Sequence, residues 1–446
     1  MTATRSVLVA LEQAEAGWAE SRSNYLPSIE FQARYSMARG GRTFDVPVGD
    51  LLNDAYATLN GLTGTQQFPA IQNQKFDLLR DREQETRVRV TQVLWNPAVG
   101  AGARSGRFRA DATRAETEAV RRALVRDIRV AYYTFANALR AEAILDDALE
   151  LVLENERSSN ALVRTALATN EQVHRARAER LEVEAQRDRA ETDRLLAASY
   201  FNYLLARDPA ADIEVSPTDL TLPDTGPIGR LREAATSQSD DAWIRTLAEG
   251  VGTMRPELDQ LDQAVAAAEA GLGAARASTL PTVALAVDAG LQGREYGFGA
   301  DNRYLMASVV LSWAVTNGGG ERSRIRQARL ERDMLERERA DAEARIRLEL
   351  QTAAYNTRVA LRSIETATER LAEAERAFTL VRRRREEGLA TPLEFFDARA
   401  AFTRARQSHS IAEAEALIRL AELDYATGGA PDDLAGEGAP GQENER

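Results

Sequence analysis

"EEGLATPLEFFDARAAFTRARQ", running from Glu386 to Gln407, decides the fold because the earlier stretch "RTALATNEQVHRARAERLEVEAQ", from Arg164 to Gln186, repeats its layout. Leu167-Ala168-Thr169 returns as Leu389-Ala390-Thr391 and Ala176-Arg177 as Ala398-Arg399, both 222 residues later. Working outward, Tyr203 returns as Tyr425, Trp95 as Trp313, and Tyr25-Leu26-Pro27 as Thr279-Leu280-Pro281. The 446-residue chain is a duplicated unit. The offset shrinks by about 36 residues between the proline pair and the tryptophan pair, so the first copy carries an insertion between Pro27 and Trp95.

Each copy has the same parts in the same order. A helical stretch, Ser6 to Asn24 and then Pro256 to Ser278, is stopped by a proline, whose fixed φ and missing N–H end it. Beyond Pro27, Ile29, Phe31, Ala33, Tyr35 and Met37 alternate with polar residues; beyond Pro281, Val283, Leu285, Val287, Ala289 and Leu291 do the same. That period of two predicts strands of about ten residues. The return strands are Thr86 to Trp95, where the alternation slips near Gln92, and Tyr304 to Trp313. Glycine-rich junctions, "NPAVGAGARSG" and "AVTNGGGERSR", then lead into long helices from about Gly102 to Arg164 and Glu321 to Glu387. At about 1.5 Å per residue each spans roughly 90 to 100 Å. Their sparse apolar positions, such as Ile364, Leu371 and Phe378, suit a coiled-coil array. Gly388 is placed to cap one helix and Pro392 to start the next. Return helices follow, about Asn170 to Ala206 and Pro392 to Thr427.

Composition excludes several functions. With no cysteine, disulfides and thiolate chemistry are out, and Lys75, the one lysine, lies in no phosphate-binding loop. A net charge of −12, with its basic runs interleaved by acid, gives nucleic acid no footing. His174 and His409 stand isolated, and no nucleophile–base pair or metal-ligand spacing emerges, so neither enzyme, cofactor nor metal is expected. No run of 18 uncharged apolar residues predicts a transmembrane helix. The start, "MTATRSVLVALEQ", is no signal peptide. Aligned on the second copy, Met1 faces Arg255, so a counterpart of Leu231 to Gly250 and a signal peptide are expected upstream of it in a longer form of the chain.

Four strands cannot close a barrel, for which about eight is the minimum. Three copies would supply twelve, and ten-residue strands match a tilted bilayer span. Tyr25, Trp95 and Trp313 then fall where aromatic residues gather at a membrane interface. The plainer reading of the strands is an ordinary sheet packed on the chain's own helices, and the rival function is a soluble, elongated helical scaffold whose hairpins mediate self-association.

"YLPSIEFQARYS", "VTQVLWNP", "AYYTFANALRAEA", "REEGLATPLEFFDARAAFTRAR", "RPEL", "TLPTVALAVDAG" and "LSWAVTNGGG" occur in that order. The series resembles the TolC-like outer-membrane efflux protein family. The resemblance implies a mainly α fold with transmembrane β: a duplicated unit forming a long antiparallel α-helical barrel, with four strands per protomer in a trimeric 12-stranded β-barrel. It implies a homotrimeric passive conduit across periplasm and outer membrane, embedded in outer-membrane lipid. Such conduits serve a tripartite efflux pump or type I secretion system through a periplasmic adaptor and an inner-membrane pump. The expected segments are a helix over 1–26, a hairpin over 27–95 with an extracellular insertion at 38–85, and a helical hairpin over 96–208. A linker with a short equatorial helix over 209–255, a helix over 256–280, a hairpin over 281–313, a helical hairpin over 314–427 and a disordered tail over 428–446 complete the chain. The insertion reads as a cap or lid, or as a disordered loop, and predicts a short helix from Asp50 to Asn60 with Asp50 as its cap.

Glu394 and Asp397, three apart, share one face of the helix after the Gly388-Leu389-Ala390-Thr391 turn. The resemblance implies that they project into the narrowed periplasmic entrance as threefold acidic rings favouring cations; carboxylates that complement a helix N-terminus are the plainer alternative. The first copy has Gln172 and Arg175 there, so a ring comes from the second copy alone. The family's closing salt bridges find no place here, because Arg385 and Ala390 occupy the positions where an aromatic and a basic residue would be sought. By resemblance, Gly388, Leu389, Ala390 and Thr391, with Leu167, Ala168 and Thr169, are tips gripped by the adaptor, although tight αα turns use such residues in any case.

Overall fold

The structure, a computed structural model, describes residues 2–78, 81–165, 169–216, 255–295, 297–316 and 318–428, with 220, 222, 233, 242, 243, 245 and 247 between them. The chain divides into two compact units: 17–106 with 268–330, and 1–16 with 107–267 and 331–446. Its elements are α1 (Thr2–Ser23), β1 (Ser28–Met37), β2 (Thr43–Val46), α2 (Val48–Thr63), β3 (Gln74–Asp77), β4 (Arg82–Trp95), α3 (Pro97–Arg164), α4 (Asn170–Leu204), α5 (Pro256–Ala277), β5 (Thr282–Gly293), β6 (Arg303–Ser312), α6 (Gly320–Glu386) and α7 (Pro392–Thr427). Most of the stretch from Leu231 to Ala248, the tail after Gly428, and the tip residues Leu167 and Ala168 lie outside the described residues; 233, 242, 243, 245 and 247, which are described, are helical.

The first unit holds an antiparallel sheet in the order β1-β4-β5-β6. Its registers set Phe31, Val88, Ala289 and Leu305 in one row, and Glu30, Arg89 and Asp288 in the next. The period of two thus sorts the sheet into an apolar and a polar face. The apolar face of the edge strands is bare: Phe31 is 68% exposed, Met37 74%, Leu305 76% and Val309 68%. On the polar face Arg89 grips the buried Asp288 bidentately, at 2.6 and 2.9 Å, and Arg87 donates twice to Gln32. The slip near Gln92 is a β-bulge: the register shifts between Val93 and Trp95, leaving Leu94 out of the pairing. The Gln92 amide there donates to the carbonyls of Tyr25 and Val93, both at 2.9 Å. Gly290 faces Arg87 in the register, and a Cβ there would strike the Thr86 carbonyl and the Arg87 Cα. Gly290→Ala should therefore cost about 1–3 kcal/mol by overpacking, read as a lowered denaturation midpoint with helix content unchanged.

Tyr25, Trp95 and Trp313 come to one end of the sheet, where Trp313 Nε1 donates to the Thr279 carbonyl at 3.1 Å. The long helix after Trp95 starts earlier than its glycines suggest. The Asn96 side chain accepts from Ala98 N at 3.0 Å and Pro97 takes the first helical position, so α3 begins at Pro97. Gly106 lies inside the helix where a Cβ would press on Ser21 and Trp18, which makes it a close-packing residue and no terminator.

The insertion is ordered as a small β-α-β arrangement. β2 pairs with β3, and Asn53 clamps α2 to Ile71 through both backbone atoms, at 2.8 and 2.9 Å, as Asn60 clamps it to Phe68. Asp50 is not the cap: α2 begins two residues earlier after Pro47, and Asp50 sits in the first turn, its carboxylate accepting from Asn73 at 3.0 Å.

The second unit is helical. Leu350, Ala354, Leu361, Ala416 and Leu417 belong to its main apolar cluster, joined by Trp243, whose Nε1 donates to the Ala354 carbonyl at 3.4 Å. The buried Arg255 binds Glu257, Glu349 and the Ala426 carbonyl, tying the start of α5 to the end of α7. Burial and Glu257 push the neighbouring Tyr425 phenol up to about 12. Among the described residues no helix is long and apolar enough to cross a membrane. Much of the helix surface is ion-paired, and hydrogen bonds from Arg121 and Arg122 pull the Glu118 carboxyl down to about 2. A carboxyl depressed on folding stabilises the fold above its unfolded pKa and loses that contribution as pH falls through the folded value. Thermal stability should therefore fall between about pH 4.5 and 2, less steeply in Glu118→Gln.

Candidate functional site

The tip joining α6 to α7 is built by opposed end signals. Gly388, at φ +76°, takes the left-handed conformation that ends α6, its N–H bonding the Arg385 carbonyl while Leu389 N bonds that of Arg384. Arg384 also donates to the Leu389 carbonyl at 3.3 Å. Two residues on, Thr391 opens α7 with a capping box: its hydroxyl accepts from Glu394 N at 3.2 Å and the Glu394 carboxylate accepts from Thr391 N at 2.7 Å. The turn is left as a short, rigid knuckle with Leu389 and Leu393 exposed.

Below it lies an aromatic cluster. Phe378 stacks on Phe402 with centroids 5.5 Å apart and meets Phe395 at 5.8 Å, while Ala176 of α4 and Leu151 of α3 close the other side. The cluster therefore joins both repeats. The Arg385 guanidinium lies 4.3 Å over the Phe395 ring and hydrogen-bonds the buried Asn155 side chain of α3. Desolvation pushes Arg385 below its usual pKa, and its partner is neutral. Arg399, nearly fully buried, pairs with Glu179 of α4.

Glu394 and Asp397 are both exposed on the first turns of α7. They are not equivalent. The Thr391 backbone and hydroxyl bonds hold the Glu394 carboxyl below the usual range and commit one oxygen to the cap. Asp397 has no hydrogen-bond or ion-pair partner among the described residues. In the first repeat Thr169 opens α4 without a side-chain bond, and Arg175 pairs with Glu171 at 3.3 Å. A groove of about 280 Å³ between the two tips is lined by Thr169, Arg175, Thr391 and Phe396, among others. Sequence reasoning placed Gly388, Thr391, Glu394 and Asp397 on this knuckle but missed Asn155 and Glu179. Each is about 220 to 230 residues from its arginine, and no local pattern marks either. His409, isolated in sequence, lies 3.6 Å from Glu413. No group of three His, Asp or Glu that could hold a metal occurs among the described residues.

Residues 253–429 match the family model described as outer membrane efflux protein. Protein CyaE of Bordetella pertussis is 29% identical over 227 residues, covering 49% of this chain and 45% of that relative, so the chain matches less than half of its length. The fold is shared more widely. The outer-membrane channel OprN superposes with a TM-score of 0.74 at 17% identity, over 97% of this chain and 88% of that one. The Campylobacter jejuni CmeC outer membrane channel gives 0.73 at 14% identity, over 96% and 82%.

Proposed function

We propose, from the match of residues 253–429 to the outer membrane efflux protein family model, that three copies of this chain form an outer-membrane channel. In it the four-stranded sheets close a twelve-stranded barrel in lipid and the helical hairpins continue as a tunnel in the periplasm. The channel is a passive export conduit of an efflux pump or type I secretion system and catalyses nothing itself. One observation carries this reading. The sheet has two unpaired edges, β1 and β6, and an apolar face that its own chain leaves bare, with Ile29 73% and Leu305 76% exposed. In water such edges and faces would drive aggregation; partner strands and lipid satisfy both. Tyr25, Trp95 and Trp313 mark the membrane boundary on the helix side.

The knuckle is the periplasmic entrance and docking tip. Threefold symmetry turns Asp397 and Glu394 into stacked acidic rings that favour cations, and Gly388 to Thr391, with Leu167 to Thr169 of the first repeat, meet the adaptor. The test is assembly and conductance. Purified in detergent, the chain should run as a monodisperse trimer by light scattering and open ion-conducting channels in planar bilayers. A detergent-independent soluble monomer with no conductance would favour the elongated scaffold instead.

A further inference from the structure

We infer that α2 is a self-association helix: the three copies of the insertion pack their α2 helices on one another as a cap over the mouth of the barrel. This rests on the trimeric reading above. Val48, Leu52, Ala55, Leu59 and Leu62 follow one another at spacings of four, three, four and three, which is the seam of a coiled coil over two heptads. The chain leaves that seam partly uncovered, increasingly toward its C-terminal end. Leu62 is 79% exposed, Leu52 and Leu59 about two-fifths, and Leu51 beside them 72%. The flank of α2 beside that seam is already used, since Asn53 and Asn60 are held by Ile71 and Phe68 and Tyr56 packs on Phe68 at 5.4 Å. The helix is thus held along one flank with the rest of its apolar stripe in solvent.

Two features select another copy as the occupant. The insertion grows from β1, the edge strand at which a neighbouring copy must add its own strand, so it rises beside the seam between copies. A lipid surface is the competing occupant, but helices that lie on membranes carry Lys or Arg on their polar side. α2 has neither, and carries Asp50 and Asp54 instead, which anionic headgroups would repel. Sixteen residues are too few for a stable free coiled coil. Tethering three of them on one barrel replaces free association by a high effective concentration.

The chain has no cysteine, so single substitutions report contacts cleanly. Leu52→Cys, Leu59→Cys and Leu62→Cys, each oxidised in the detergent-purified full-length protein, should give a disulfide-linked pair on a denaturing gel. Asp54→Cys, away from the seam, should give none. A trimer by light scattering in which no seam cysteine cross-links overturns the cap while leaving the channel standing. So does a trimer in which fluorophores attached to the seam cysteines are quenched by lipid-borne probes in vesicles. A monomer in detergent overturns both. Three separate exposed positions are used so that the misfolding of one variant leaves the others to decide.

Discussion

Arginine at Phe31 or at Leu305 should each destabilise the assembled protein in lipid by about 2–4 kcal/mol, the cost of a charge on the lipid face of a barrel near its midplane. The two positions belong to one row across all four strands, and at 68% and 76% exposure neither is packed by its own chain. A soluble sheet would register such changes barely at all, because exposed substitutions fall within about 0.5 kcal/mol. Reversible unfolding from vesicles reads the difference, and the Phe31→Arg, Leu305→Arg double variant should fail to assemble. The control lies one row away, where Glu30→Gln faces the polar side and should be tolerated. If Phe31→Arg and Leu305→Arg were both as mild as Glu30→Gln, the apolar face would not meet lipid and the barrel would be lost as an explanation.

Removing charge from the knuckle should change what passes and leave the assembly intact. In the Glu394→Gln, Asp397→Asn variant, glutamine at the third helical position can still accept from Thr391, so the cap survives while two charges per chain disappear. Cation-over-anion preference should drop on the order of tenfold, the scale on which a charged constriction concentrates counter-ions, seen as a reversal potential moving toward zero under a salt gradient. Asp397→Asn alone is the cleaner half of the experiment. Its carboxylate has no partner among the described residues, so its loss breaks no hydrogen bond or ion pair and reaches the fold only through the weak helix-terminus field. An unmoved reversal potential would reduce both residues to ornaments of a helix start. The depressed Glu394 carboxyl adds a pH signature: it stays charged below the ordinary carboxylate range, so selectivity should persist into mildly acid conditions.

Much of this protein is legible in one dimension. Alternation in β1 and β6, the unbroken run of α6, the left-handed Gly388 and the Thr391-Pro392 start all depend on neighbours within a few residues, and the internal repeat gives the strand and long-helix pattern twice, although Ala166 and Asn170 stand where the second copy has Gly388 and Pro392. Two helix starts depart from the local rule, one through adjacent residues and one through a side chain 23 residues away. Asn96 and Pro97 start α3 ahead of the glycines, and α2 starts before Asp50 because Asn73 already holds that carboxylate.

The strand order is different in kind. Joining β4 to β5 fastens one repeat to the other across nearly two hundred residues, and the slip at Gln92 is understood only when the bulge at Leu94 is seen against β5. Asn155 under Arg385, Glu179 against Arg399 and the braced α2 are likewise products of closure. Periodicity reports which face of an element is apolar, because that is a property of consecutive side chains. Which partner covers the face, or which buried amide meets a distant arginine, is settled only when the whole chain competes for the same contacts.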